Sequence, residues 1–377
     1  MADLIQLTTL GTYATGIFDE SAAEIAAYDP GTQRLFVVNS NNTTIDVLDI
    51  SNPSVPTKIF EINPVANFAA GAGANSVAVN NGTVAVAVEN DDGLLPGQVL
   101  FYDVNGNFLN AVTVGVLPDM LTFTPDGTKI LVANEGEPTD DGDPEASISI
   151  IDLSGGVAAA TVTNADFTAF NGREAELRAQ GVRIFPDKTV SEDVEPEFIA
   201  VSPDGTKAFV TLQENNAFAV VDIASATIED ILPLGVKDYS QDPLITLDPS
   251  DRDDAINLSN FPVVGLYQPD AIASFEADGQ TYYITANEGD ARDEDERVAD
   301  LTLDPVAFPN AATLQQDDQL GRLEVSTIDG DTDGDGDFDQ LFTYGGRSFS
   351  IFDASGNLVF DSGNDFERIT AELLPAN

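Results

Sequence analysis

Residues 118–137 read PDMLTFTPDGTKILVANEGE, and residues 196–215 read PEFIAVSPDGTKAFVTLQEN. Both run the same way. Alternating apolar residues lead into a Pro-Asp-Gly-Thr turn and a β-rich run leads out, the pattern of two antiparallel strands tightly joined. A third strand ending in aspartate follows each: SISIIDL (147–153) and AFAVVDI (217–223). TIDVLDI (44–50) and QVLFYDV (98–104) repeat that strand earlier, and looser first strands begin at Ala23-Glu24-Ile25, Ala74-Asn75-Ser76 and Pro269-Asp270-Ala271.

Five unit starts, each opening three or four short strands, predict an all-β fold: a β-propeller of repeated blades. A sandwich or a β-helix would not explain the recurring turn followed by an Asp-terminated strand. Five units fall short of the seven-bladed type, and an open ring would leave edge strands bare. The expectation is therefore a truncated chain, or a ring completed by another segment. Residues 1–377 read as one propeller domain with insertions near 154–193, 235–266 and 291–320. Only NGREAELRAQGVRIF (171–185) reads as helix.

Composition narrows the chemistry. The 377 residues are 42% hydrophobic, with 22 Phe and 8 Tyr, enough for a sizeable core. Against 65 acidic residues stand 15 basic ones, a net charge of −50. Such a surface repels nucleic acid and anionic lipid, and suits a salty or calcium-containing exterior that screens it. Cysteine and histidine are both absent, which excludes disulfides, Cys/His zinc sites and histidine-assisted Ser or Cys nucleophiles. Chemistry must run on carboxylates, hydroxyls, the few Lys and Arg, and hard cations. No run is apolar and long enough to span a membrane, and the opening MADLIQLTTLGTYATG lacks the pattern of an ordinary signal peptide.

The long motifs YQPDAIASFEADGQTYYITANEGDARD (267–293) and GRLEVSTIDGDTDGDGDFDQLFTYGGRSFSIFD (321–353) resemble the bacterial choice-of-anchor I domain. The opening LGTYATGIFDESAAEIAAYDPGTQRLFVVNSNNTTIDVLDIS (10–51) and VEPEFIAVSPDG (194–205) fit the same pattern. The resemblance implies a propeller of secreted or surface-attached proteins, similar to animal mesenchyme-specific cell-surface glycoproteins. Two departures stand out. Family domains continue beyond FERITAELLPAN (366–377) into further blades, and the family's aromatic after Asn-Glu-Gly-Asp-Ala-Arg-Asp is here Glu294. Some relatives sit beside phosphoesterase or nuclease domains in longer chains.

The densest charge lies in STIDGDTDGDGDFDQLF (326–342), with Asp329, Asp331, Asp333, Asp335, Asp337 and Asp339 at every second position. Calcium takes six to eight oxygens, and a D-x-D-x-D-G loop offers three carboxylates around a glycine turn. From Asp331 the register gives Asp333, Asp335 and the turn at Gly336, while the twelfth position is Phe342 rather than glutamate. We expect an EF-hand-like loop on a β-hairpin. A solvated acidic turn is the alternative, though glycine alone makes a turn without the repulsion. Two further acidic loops follow second strands. In one, Asn134, Glu135, Asp140, Asp141 and Asp143 could wrap a cation; in the other, Asn287, Glu288, Asp290 and Asp293. Ordinary acidic surface loops explain these equally well.

If each unit's first strand lines a central channel, Glu24, Asn75, Asp119, Glu197 and Asp270 occupy equivalent places and form a ring of oxygen donors at one mouth. Asn39, Asn90, Asn134 and Asn287 recur at second-strand ends, where bonding to nearby groups is the simpler explanation. Arg347 reads as an ion-pair partner for nearby carboxylates, and Arg292 as a partner for a neighbouring Asp, with contact to an anionic substrate as the alternative.

The leading expectation is an extracellular or cell-surface, calcium-binding propeller that acts as a binding or scaffold module. Its partner would be a surface or matrix ligand, protein or polysaccharide, or further blades or copies of itself, with no nucleic acid and no membrane insertion. The alternative is a calcium-dependent phosphoesterase on the propeller face, resembling β-propeller phytases. Against it, no Lys/Arg cluster converges in the sequence. A glycosidase carboxylate pair does not stand out either.

Overall fold

The computed structural model describes residues 7–374. The first six residues of the stretch read for a leader, and the last three of the 366–377 segment, lie outside the described residues. The chain is all-β and of β-propeller type: five four-stranded sheets each run strand-to-neighbour in chain order, innermost first. They are built from strands Ala26–Asp29, Arg34–Asn39, Thr44–Asp49 and Thr57–Ile62 (blade 1); Gly71–Asn80, Thr83–Asn90, Pro96–Asp103 and Phe108–Val116 (blade 2); Pro118–Phe123, Lys129–Asn134, Ser147–Asp152 and Thr161–Asp166 (blade 3); Pro196–Val201, Lys207–Leu212, Ala217–Asp222 and Thr227–Pro233 (blade 4). Blade 5 takes Ile272–Ala277, Gln280–Asn287, Ser348–Asp353 and Leu358–Asp361. With one further sheet, the described residues form six sheets, and the seven-bladed count is not reached among them.

Local chemistry explains the repeat. In blade 3 the Asp126 carboxylate accepts from Thr124 Oγ1 (2.7 Å) and the Thr128 amide (2.9 Å), with Gly127 at φ 71°. Blade 4 repeats this with Ser202, Asp204, Thr206 and Gly205 at φ 73°. Glycine supplies the left-handed step and the aspartate ties the turn to both flanks. The aspartate ending each third strand has an equally local purpose. Asp49, Asp103, Asp152 and Asp353 each accept the amide two residues on, at 2.7–2.8 Å, and so close the next turn. Asp152 and Asp222 also pair across the ladder with Lys129 and Lys207.

The chain divides into two compact units, the first running through Asp166 with Ser225–Thr227, the second taking Phe167–Ala224 and everything from Ile228. In the first, the inner strand of blade 2 packs against those of blades 1 and 3. The strand TVAVAVEN (83–90) shows how the faces are shared. Val84, Val86 and Val88 join the core with Phe36, Val38 and Ile45 of blade 1, while Ala85 and Ala87 join Leu121, Ile130 and Val132 of blade 3. Period-two alternation fills both interfaces from one strand. In the second unit the blade 4 and blade 5 inner strands are neighbours, and their core is aromatic: Phe209 stacks on Tyr283 at 4.0 Å and Phe218 meets Phe352 edge-on.

The sixth sheet departs from the repeat. Its strands, in spatial order, are Val236–Asp238, Val264–Leu266, Phe342–Thr343, Glu324–Ser326 and Asp295–Arg297. They come from the expected insertions at 235–266 and 291–320 and from the residues beyond, and one pair is parallel. The strands are short, and a dedicated core of Tyr239, Phe261, Val298, Leu314, Leu320 and Leu341 holds them. Of the stretch expected as the only helix, Glu174–Gln180 is helical, closed by Gly181 at φ 102°, but the longer helix Asp365–Leu373 was not expected.

Candidate metal centre and buried charge network

The aspartate run connects two antiparallel strands of the sixth sheet, Glu324–Ser326 and Phe342–Thr343, so the loop does sit on a β-hairpin. Its six aspartates do different things. Asp331 is spent inward: Oδ1 accepts from the amides of Gly334 (2.7 Å) and Asp335 (3.2 Å), and Oδ2 from Gly336 (3.0 Å). Those bonds curl the chain so that Asp331, Asp333 and Asp335 bring carboxylate oxygens within 4.8 Å of one another. A second group meets on the other side, where Asp337 and Asp339 join Asp304 within the same distance. Asp304 arrives because the insertion docks on the loop, its amide bonding to Phe338 O at 3.0 Å. Nothing in the spacing of the run marks it.

Like charges crowd in both groups. The neighbouring Asp335 charge pushes the Asp333 carboxyl above its ordinary range. Desolvation, with Asp335 and Asp304 adding to it, does the same for Asp337. Asp337 Oδ1 is itself buried without a hydrogen-bond partner. Asp329 is different: its Oδ2 pairs with Arg183 at 2.8 Å and accepts from Ser326 Oγ at 2.7 Å, so it anchors the hairpin.

In the two other acidic loops the asparagines belong to the blades. Asn134 accepts from the Gly115 amide at 3.0 Å and donates to Ser147 and Ser149, and Asn287 donates to Ser348 and Ser350. Both side chains are buried and committed, as Asn39 is to the Asn42 amide and Asn90 to Pro96 O. Asp140 and Asp141 are exposed and Glu135 and Asp143 half-buried, while Glu288, Asp290 and Asp293 are exposed. Gly289 and Gly345 carry the second loop past the hairpin's end. Their backbones, at φ 89° and 75°, approach too closely for any Cβ.

Of the expected channel residues, Asp119 and Glu197 are second in their strands and Glu24 and Asp270 come two residues before theirs, whereas Asn75 lies mid-strand in Gly71–Asn80, where the register shifts. In the first unit Glu24 is exposed, Asn75 donates to Pro118 O at 3.4 Å, and Asp119 is half-buried. In the second, Glu197 is half-buried, and burial with the nearby Glu288 charge raises the Asp270 carboxyl.

The strongest electrostatic feature is one that sequence reading missed. Arg292 pairs not with the acids beside it but with Glu195 (2.8 Å) and Asp193 (3.4 Å), with Glu214 at 3.8 Å. Arg183, only 6% exposed, pairs with Glu294 (2.9 Å) and Asp329 and donates to Glu214 O. Both guanidiniums lie over the Phe185 ring, at 4.7 and 5.3 Å. Glu294 is therefore the partner of a buried arginine. Two arginines face five carboxylates (Asp193, Glu195, Glu214, Glu294 and Asp329), an excess of three negative charges if all ionise. Glu195 and Glu214 sit together, and burial drives both upward, Glu195 to about 8, against the pull of Arg292. Glu195 Oε1 and Glu214 Oε2 are both buried without a hydrogen-bond partner, and the Glu214 charge adds to the upward push on Glu195.

The chain is similar in structure to a functionally unknown protein from Desulfotomaculum acetoxidans (11% identity, 94% of this chain and 90% of that one, TM-score 0.44). It is also similar to a protein from Lactobacillus plantarum (14% identity, 73% and 66%, TM-score 0.44). A third is the Cps50 (Swd1) β-propeller domain of Myceliophteria thermophila (9% identity, 92% and 87%, TM-score 0.41). Among curated proteins none matches the sequence. The family model of the choice-of-anchor I domain matches residues 24–377.

Proposed function

The chain belongs to the choice-of-anchor I domain family, and from that premise we propose that it is a secreted or surface-attached propeller that acts as a calcium-dependent binding or scaffold module. The observation that carries the calcium reading is the pair of carboxylate triads at one hairpin loop, the second completed by Asp304 of the insertion, with Asp337 Oδ1 buried and unpartnered between like charges. A hard divalent cation supplies what that atom lacks, and calcium tolerates the irregular oxygen sets that two such triads offer. Asp331, already pinned by three backbone amides, would hold the first triad in place, and Asp304 would tie the insertion to the second. The family's surface association and the −50 charge support an exterior location, where calcium is abundant.

Extracellular modules bind calcium with Kd of about 10⁻⁴–10⁻³ M. At millimolar calcium, the tighter end of that range stabilises the fold by about 1.4 kcal/mol through mass action. Thermal unfolding in calcium, in magnesium and in excess chelator, alongside a titration counting bound calcium, tests the proposal. A calcium-specific rise in Tm of a few degrees is expected. An unchanged Tm with no calcium bound would reduce the loop to a solvated acidic turn.

A further inference from the structure

The second unit contains a pocket of about 340 Å³ lined by Arg297, Arg322 and Arg347, with Asp251, Glu324 and Tyr344. In a chain with only 15 basic residues, three arginines converging on one concavity is a concentration that net charge opposes. Sequence spacing hides it. Arg297 ends one strand of the sixth sheet, Arg322 precedes the next, and Arg347 enters the third strand of blade 5. Strand pairing places Arg297 opposite Glu324, and Arg347 is held at φ 49°, a backbone region that glycine adopts more readily.

Each arginine is tethered but not exhausted. Arg322 grips Asp251 through Nε (2.8 Å) and Nη2 (3.2 Å), leaving Nη1 without a protein acceptor among the described residues. Arg347 uses only Nη1, on Glu367 and Asp248 O, and Arg297 meets Glu324 at 3.5 Å. Asp251 and Glu324 are more than half exposed, so these pairs are weak and exchangeable.

We propose that this pocket binds a phosphate or sulfate ester through its oxyanion group, which displaces Asp251 and Glu324 from their arginines. Three guanidiniums approaching from separate strands and loops suit a group with three terminal oxygens better than a carboxylate with two. The volume lies at the small end of the range for ligand sites, which leaves room for a sugar-sized ester rather than a bare ion. The proposal stands on the arginines alone and does not depend on calcium.

Calorimetric titration of the full chain with inorganic phosphate, inorganic sulfate, glucose 6-phosphate and glucose 6-sulfate, at constant ionic strength, tests it. Saturable binding is expected, with an ester tighter than its inorganic ion, and the two esters tell a phosphate site from a sulfate site. Arg322→Gln is expected to weaken binding about tenfold or more, the loss of charge-assisted hydrogen bonds. Arg368→Gln, which removes an exposed arginine elsewhere, should leave it unchanged. Asp251→Asn provides the decisive arm, because freeing Arg322 should tighten binding severalfold even if the Arg322 variant fails to fold. Absence of saturable binding, or affinity indifferent to Asp251→Asn, overturns the proposal. Inorganic ions binding more tightly than their esters would overturn its ester part.

Discussion

Blade 2 and the sixth sheet solve the same problem by opposite means. Blade 2 has strands of 8 to 10 residues, paired along their length, with valine and alanine alternating into two apolar cores. The sixth sheet has strands of two or three residues, too short for ladder bonds to hold. It relies on its own apolar cluster and on Arg183, whose bonds reach Glu294, Asp329 and Ser326 on that sheet and its hairpin. The aspartate loop, the arginine-lined pocket and the charge network all belong to the irregular sheet or its borders. Regular blades supply rigidity, and the departures from them bring chemically active side chains together.

The sharpest test of this contrast is Arg183→Met, which strands buried Glu294 and half-buried Asp329. A loss of about 3–5 kcal/mol is expected in urea unfolding. Replacing Glu294 by methionine as well should recover part of it. A loss under about 1 kcal/mol would mean that the apolar cluster alone holds the sheet. Next comes Leu100→Ala in blade 2, where cavity formation should cost about 2–5 kcal/mol, through packing and not charge. If Leu100→Ala proved pH-dependent and Arg183→Met did not, the division between the regions would fail.

The proton on the raised Glu195 carboxyl has a smaller effect with a definite sign. The folded chain holds that proton more tightly than the unfolded chain does. The contribution of this group to stability is therefore greatest below the ordinary glutamate range and declines as pH rises toward about 8. The slope approaches about 1.4 kcal/mol per pH unit where only the folded state keeps the proton. Glu195→Gln should flatten the Tm profile between about pH 5 and 8. An unchanged slope would place the titration elsewhere. The smallest effect is that of Asp333→Asn. In chelator it should raise Tm slightly by relieving repulsion from Asp335, and it should diminish the rise that calcium produces. A variant that melts lower in chelator would show that Asp333 supports the loop without a cation.

Much of this architecture is written locally. The Pro-Asp-Gly-Thr turns, the Asp-terminated third strands and the V/A alternation of residues 83–90 each depend on neighbours a few residues away, so the repeat, the blades and the hairpin under the aspartate run are legible from sequence alone. The same locality makes Asp331, Asp333 and Asp335 recognisable as a group. What could not be read is whatever joins distant segments. Asp304 reaches Asp337 only because an insertion docks there. Glu294 looks like a surface acid until Arg183, 111 residues earlier, is found against it. Arg292 passes over the acids beside it for Asp193 and Glu195, and Arg297, Arg322 and Arg347 share a pocket though nothing in their spacing links them. The sequence by itself determined the blade, because turns and period-two burial are set by short-range sterics and hydrogen bonds. Only the tertiary structure decided which charges share a desolvated space, because pairing energies depend on distance and dielectric, and the chain's order records neither.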